Sequence, residues 1–119
     1  MNQDWSNLTE ENQIAEIIAL SSSIPVYIFK HSTTCGISAQ AKENIEISFK
    51  NTDKPFLFYY LDLLKYRPVS NEVALKLNVH HQSPQLILVR DGQVVFTTSH
   101  HKIKATTLMD SLSLLDKVN

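Results

Sequence analysis

Gln85–Thr98 reads QLILVRDGQVVFTT. Two apolar, β-prone runs flank the dipeptide Asp91-Gly92. That dipeptide suits a tight hairpin turn, whose central residues need positive φ. The stretch therefore predicts an antiparallel pair, Gln85–Val89 with Gln93–Thr98.

Upstream the rhythm differs, and this contrast decides the fold. Val26–Lys30 and Pro55–Leu63 (PFLFYYLDL) are apolar runs that read as buried strands. Helical patterns separate them. Leu8–Leu20 carries Ile14, Ile17 and Ile18 on one face, with Thr9 as its expected N-cap. Pro25 disfavours helix just before itself. Gly36–Lys50 repeats Ile37, Ala41, Ile45 and Phe49 along one stripe. YRPVSN reads as a loop whose Ser70 caps a short helix bearing Val73 and Leu77. A last helix, from about Ala105 to Lys117, turns Leu108, Leu112 and Leu115 inward.

The order is αβαβαββα. Each βα unit before the hairpin implies a parallel pairing with a right-handed crossover. The expected result is one α/β domain over residues 1–119: a four-stranded mixed sheet with helices on both faces, the thioredoxin topology.

Composition excludes several function classes. With 119 residues and 43% hydrophobic content, a single globular domain is expected. A net charge of −1 argues against a broad nucleic-acid footprint. No apolar run reaches the roughly 18 residues of a membrane span. The acidic, polar start lacks the pattern of a signal peptide, so a cytoplasmic protein, expected to be a monomer, is the plain reading. Two glycines, Gly36 and Gly92, cannot build a glycine-rich phosphate loop.

Cys35 is the chain's one cysteine. It falls between the first apolar strand and the helix that follows. Unpaired N–H groups and the helix dipole favour an anion there, and a thiolate is one. A lone cysteine is often only a small buried hydrophobe. Here the neighbours Thr33, Thr34, Gly36 and Ser38 are small or polar, which favours a reactive thiol instead.

Other residues gather around that position. Pro84 opens the third strand, beside the strand that delivers Cys35. In the thioredoxin topology Ser83-Pro84 is expected to be cis and to offer the Ser83 backbone to an incoming thiol substrate. His31, His81 and His100 read as lining the thiol, where a cation would favour thiolate. His80 and His101 read as surface residues. The paired histidines lack metal-ligand spacing, so no metal site is expected. Arg67 has a planar fork suited to a carboxylate.

KHSTTCGIS, RPVSNEVALKLNV, HQSPQLILVRDGQVV and the SHHKI that follows together resemble the YtxJ-like family. These are thioredoxin-like proteins also called monothiol bacilliredoxins, from bacteria that use bacillithiol. The resemblance runs from about Trp5 to the last helix. It implies thiol–disulfide exchange with Cys35 as nucleophile, on client proteins carrying bacillithiol as a mixed disulfide. Bacillithiol would be a co-substrate, and no bound cofactor is expected. Thr34, Gly36, Ser38, Arg67, His81, Ser83 and Pro84 would form the binding surface. Two departures stand out: Gly36 where the family has proline, and His101 where it usually has an aromatic.

Two other readings stay open. CGIS is one residue from the CGFS of monothiol glutaredoxins, which use glutathione and can hold an iron–sulfur cluster. The paired glycines with which that family seats glutathione cannot exist here. The third reading is a stress-related binding protein on a thioredoxin scaffold.

Overall fold

The computed structural model describes residues 5–50 and 52–116. The elements are β1 (Trp5–Asn7), α1 (Asn12–Leu20), β2 (Val26–His31), α2 (Gly36–Phe49), β3 (Leu57–Asp62), α3 (Arg67–Lys76), β4 (Gln85–Arg90), β5 (Gln93–Ser99) and α4 (Ala105–Ser113). Short 3₁₀ turns at His100–Lys102 and Leu114–Asp116 flank α4. Lys117, the expected end of the last helix, lies outside the described residues.

The sheet has five strands in the order β1-β3-β2-β4-β5, not the expected four. β1, β3 and β2 are parallel; β4 and β5 run antiparallel. The fifth strand is WSN, near the polar start. Its backbone pairs Trp5 with Phe58, and the Trp5 ring stacks on Phe58 at 4.6 Å between centroids. Leu8 N–H extends the pairing by donating to Tyr60 O. Helix α1 accordingly starts at Asn12 rather than Leu8. The Gln13 side chain reaches back and accepts hydrogen bonds from the N–H groups of Thr9 and Glu10.

Strand alternation divides the core into two layers. Val26 and Ile28 face α1 and α3, among Ile14, Ile17, Val69 and Val73. Tyr27 and Phe29 face α2 and α4, among Ala41, Ile45, Phe49, Leu108 and Leu112. In the hairpin Asp91 and Gly92 have φ of 52° and 73°, as the turn requires. The tip is tied to the end of α1: Asp91 N–H donates to Ser21 O and Gly92 N–H to Ser21 Oγ. No helix among the described residues is long and apolar enough to cross a membrane.

Two inward positions differ from expectation. In α2 the buried stripe is Ser38, Ala41, Ile45 and Phe49, while Ile37 is partly exposed. In α3 the expected loop is already helix, because Pro68 occupies the first turn with its φ preset. Ser70 is therefore no cap. It is buried inside the helix, and its hydroxyl has no hydrogen-bond partner among the described residues.

Candidate functional site

The C-terminal ends of β2 and β3 meet the start of β4 at one edge of the sheet, where open α/β folds bind ligands. Chain register places His31 opposite Asp62 of β3. Lys30 lies opposite Gln85 of β4, so Pro84 follows at the level of His31. Beyond His31 the backbone turns, with Cys35 N–H donating to Ser32 O at 3.2 Å.

Cys35 is the N-cap of α2. Its backbone is extended, with φ −106° and ψ 125°, and its carbonyl accepts the Ala39 N–H. The residue is half-buried and forms no disulfide. Its thiol thus sits at the dipole's positive end with access to solvent, the setting of a reactive cysteine. Thr34 and Gly36 on either side are exposed. A Cβ added at Gly36 would have no neighbour within 4 Å, so the backbone does not demand glycine there.

Ser38 sits three residues after Cys35, where a second thiol would make a C-x-x-C pair. It is fully buried. Its Oγ accepts the Ser32 N–H at 2.9 Å and lies 2.7 Å from His31 Nδ1. The His31 ring packs against Phe29 and Tyr60, with centroids 5.5 and 5.6 Å away. Burial, with Lys42 adding to it, holds the His31 pKa below its ordinary value, against the opposing pull of Asp62 and the Ser38 contact. The ring is therefore neutral at pH 7. It anchors Ser38 rather than supplying the expected cation.

The loop from α3 to β4 brings in the remaining residues. Ser83-Pro84 is cis. Pro84 is buried, and its carbonyl accepts the His100 N–H at 3.0 Å. His100 is thus tied to the loop by its backbone, while the residue itself is exposed. His81 Nδ1 lies 3.0 Å from Lys30 Nζ. Burial lowers the His81 pKa, and the positive charges of Lys30, Arg67 and His80 lower it further. Arg67 is exposed at the first position of α3, within electrostatic reach of His81.

Lys30 escaped the reading of the sequence. It is wholly buried, and burial pushes its ammonium down to about 8. A lysine closing an apolar strand next to His31 is the signal that could have marked it. Among the described residues no group of three or more His, Cys, Asp or Glu side chains could hold a metal ion.

A model of the monothiol bacilliredoxin BrxC family matches residues 6–108. The chain belongs to that family. Its fold is also that of a solved structure assigned as an oxidoreductase with a thioredoxin fold. That structure is 30% identical, with a TM-score of 0.78 over 91% of this chain and 93% of that one. Thioredoxin from Malassezia sympodialis is 15% identical (TM-score 0.75, 97% of this chain and 93% of that one). Thioredoxin from Fasciola hepatica is 17% identical (TM-score 0.70, 91% and 96%). These two are similar in fold alone. Family and fold together give this bacilliredoxin-family chain a thiol oxidoreductase role.

Proposed function

We propose that the protein removes bacillithiol from protein mixed disulfides by monothiol exchange at Cys35. The observation that carries this reading is the pairing of Cys35 with Ser38. Half-buried Cys35 is the N-cap residue of α2, and the position that would resolve its disulfide holds a buried hydroxyl fixed by Ser32 and His31. A hydroxyl there cannot displace a bound thiol.

The Cys35 thiolate attacks the bacillithiol sulfur of the mixed disulfide. The client–bacillithiol S–S bond breaks as the Cys35–bacillithiol bond forms. The client leaves as a thiolate and takes up a proton. A free low-molecular-weight thiol then attacks the adduct, leaves with bacillithiol as a disulfide and restores Cys35. No bound cofactor takes part. Ser83, at the head of β4, offers its backbone to the client chain. Arg67 offers its fork to a carboxylate of the transferred thiol. The reaction suits a reducing cytoplasm, where free thiols resolve the adduct.

The test is competition. Reduced protein is exposed to equal bacillithiol disulfide and glutathione disulfide, and its intact mass is followed. The reading expects the bacillithiol adduct to form in preference, and only while Cys35 is present. Preferential glutathione adduct would favour the glutaredoxin reading.

A further inference from the structure

Lys30 poses a physical problem. Burying an ammonium costs several kcal/mol unless something compensates. Among the described residues no carboxylate pairs with it. Its partner is the His81 ring, 3.0 Å from Nζ. Gln85, its cross-strand neighbour, is otherwise engaged: Nε2 donates to His80 O and Thr97 Oγ1, and Oε1 accepts Gln82 N–H. Those bonds fix the loop that carries His81 from beneath.

We propose that Lys30 and His81 form a proton relay that protonates the client thiolate as it leaves. This rests on the exchange reaction proposed above, and it is indifferent to which small thiol is transferred. A lysine ammonium can only donate, so His81 Nδ1 accepts and Nε2 carries the ring proton. Nδ1 points inward to Lys30, which leaves Nε2 for the half-exposed side of the ring. His81 lies three residues before Pro84, in the loop that leads into β4, and Cys35 lies five residues beyond Lys30, past the end of β2.

The step balances. As the client–bacillithiol S–S bond breaks, the client sulfur takes the electron pair and then the proton from His81 Nε2. Lys30 passes a proton to Nδ1, which restores the neutral ring, and is left as an amine. Between turnovers solvent protonates Nε2 on the half-exposed ring and Nδ1 returns its proton to Lys30, which restores the starting state. The groups that act on His81 are Lys30 from β2, Arg67 from α3 and His80 from its own loop, all of which oppose extra charge on the ring. That keeps His81 neutral and leaves Lys30 holding the proton. With its ammonium at about 8, Lys30 is a donor matched to neutral pH. Lys30 is a positioning residue and proton reserve, and His81 makes the contact with the leaving sulfur.

The test uses two mixed disulfides that transfer the same small thiol, one releasing an alkyl thiol and one an aryl thiol. An alkyl thiolate is the poorer leaving group and gains most from protonation. Exchange is followed by stopped flow for the wild type, Lys30→Met and His81→Gln. The glutamine can still accept from Lys30 but cannot pass a proton on. The alkyl-to-aryl rate ratio is expected to fall about tenfold or more in either variant. In the wild type the alkyl rate, divided by the rate of Cys35 alkylation at the same pH, should fall above about pH 8. In Lys30→Met that quotient should stay flat. If Lys30→Met fails to fold, His81→Gln decides alone. A ratio equal to wild type in the folded variants would overturn the relay while leaving Cys35 exchange standing. A wild type that is alkylated yet exchanges with neither disulfide would overturn the exchange reading, and the relay with it.

Discussion

Replacing Gly36 by proline should stabilise the protein without displacing its thiol. Gly36 is the first residue of α2, where the N–H has no intrahelical partner to lose. Its φ lies outside the left-handed region, and an added Cβ would meet nothing within 4 Å. Proline also constrains the residue before it to extended backbone. Cys35 already satisfies that, with φ −106° and ψ 125°. The substitution therefore removes unfolded-state freedom at no cost in the folded state, a gain of about 1 kcal/mol. For a chain of this size that is a rise in Tm of about 4 °C. Thermal unfolding of the reduced protein measures it, and the alkylation rate of Cys35 reports whether the thiol has kept its place. An unchanged or lower Tm would show that the Cys35–Gly36 backbone is not as free as its geometry indicates.

The buried Lys30 sets an alkaline signature. Its folded pKa of about 8 lies below the unfolded value of 10.5, so above pH 8 the unfolded chain holds a proton that the folded one has released. Stability should rise by about 2 kcal/mol between pH 7 and 9.5, as read by urea midpoints, and Lys30→Met should flatten that rise. On the acid side, the lowered pKa values of His31 and His81 mean that the unfolded state takes up protons first. Urea midpoints should drop as pH falls through the ordinary histidine range near 6.5, and drop less in His81→Gln. Trp5→Ala removes the stacks on Phe58 and Tyr60 that hold β1 to the sheet. It should cost about 2–3 kcal/mol by circular dichroism in urea, and a loss below about 0.5 kcal/mol would mean that β1 contributes little.

The strands and helices that were legible in the sequence are those whose signal is local. Asp91-Gly92 announces its own turn, and Val26–Lys30 announces its burial by an unbroken apolar run. Strand β1 has no such signal. Three residues with a mostly exposed pattern become a strand only because Phe58 and Tyr60, over fifty residues away, supply the pairing and stacking. Ser38 follows the thiol by three residues. Its inward position was hidden because Ile37 offers a better hydrophobic repeat. The actual stripe starts one residue later because His31 and Ser32 reward a buried hydroxyl there. Lys30 was hidden for a similar reason. A lysine at a strand end reads as solvated until the opposite loop lays His81 over it.

The most direct test of the account follows the transferred thiol itself. A client protein carrying bacillithiol as a mixed disulfide is mixed with one equivalent of reduced protein, with no other thiol present. Both intact masses are then read over time. The client should lose bacillithiol as Cys35 gains it, one for one, and the adduct should persist until a free thiol is added. Cys35→Ser should leave the client untouched. Release of the client thiol with no mass gained at Cys35, or release of equal rate by Cys35→Ser, would contradict it.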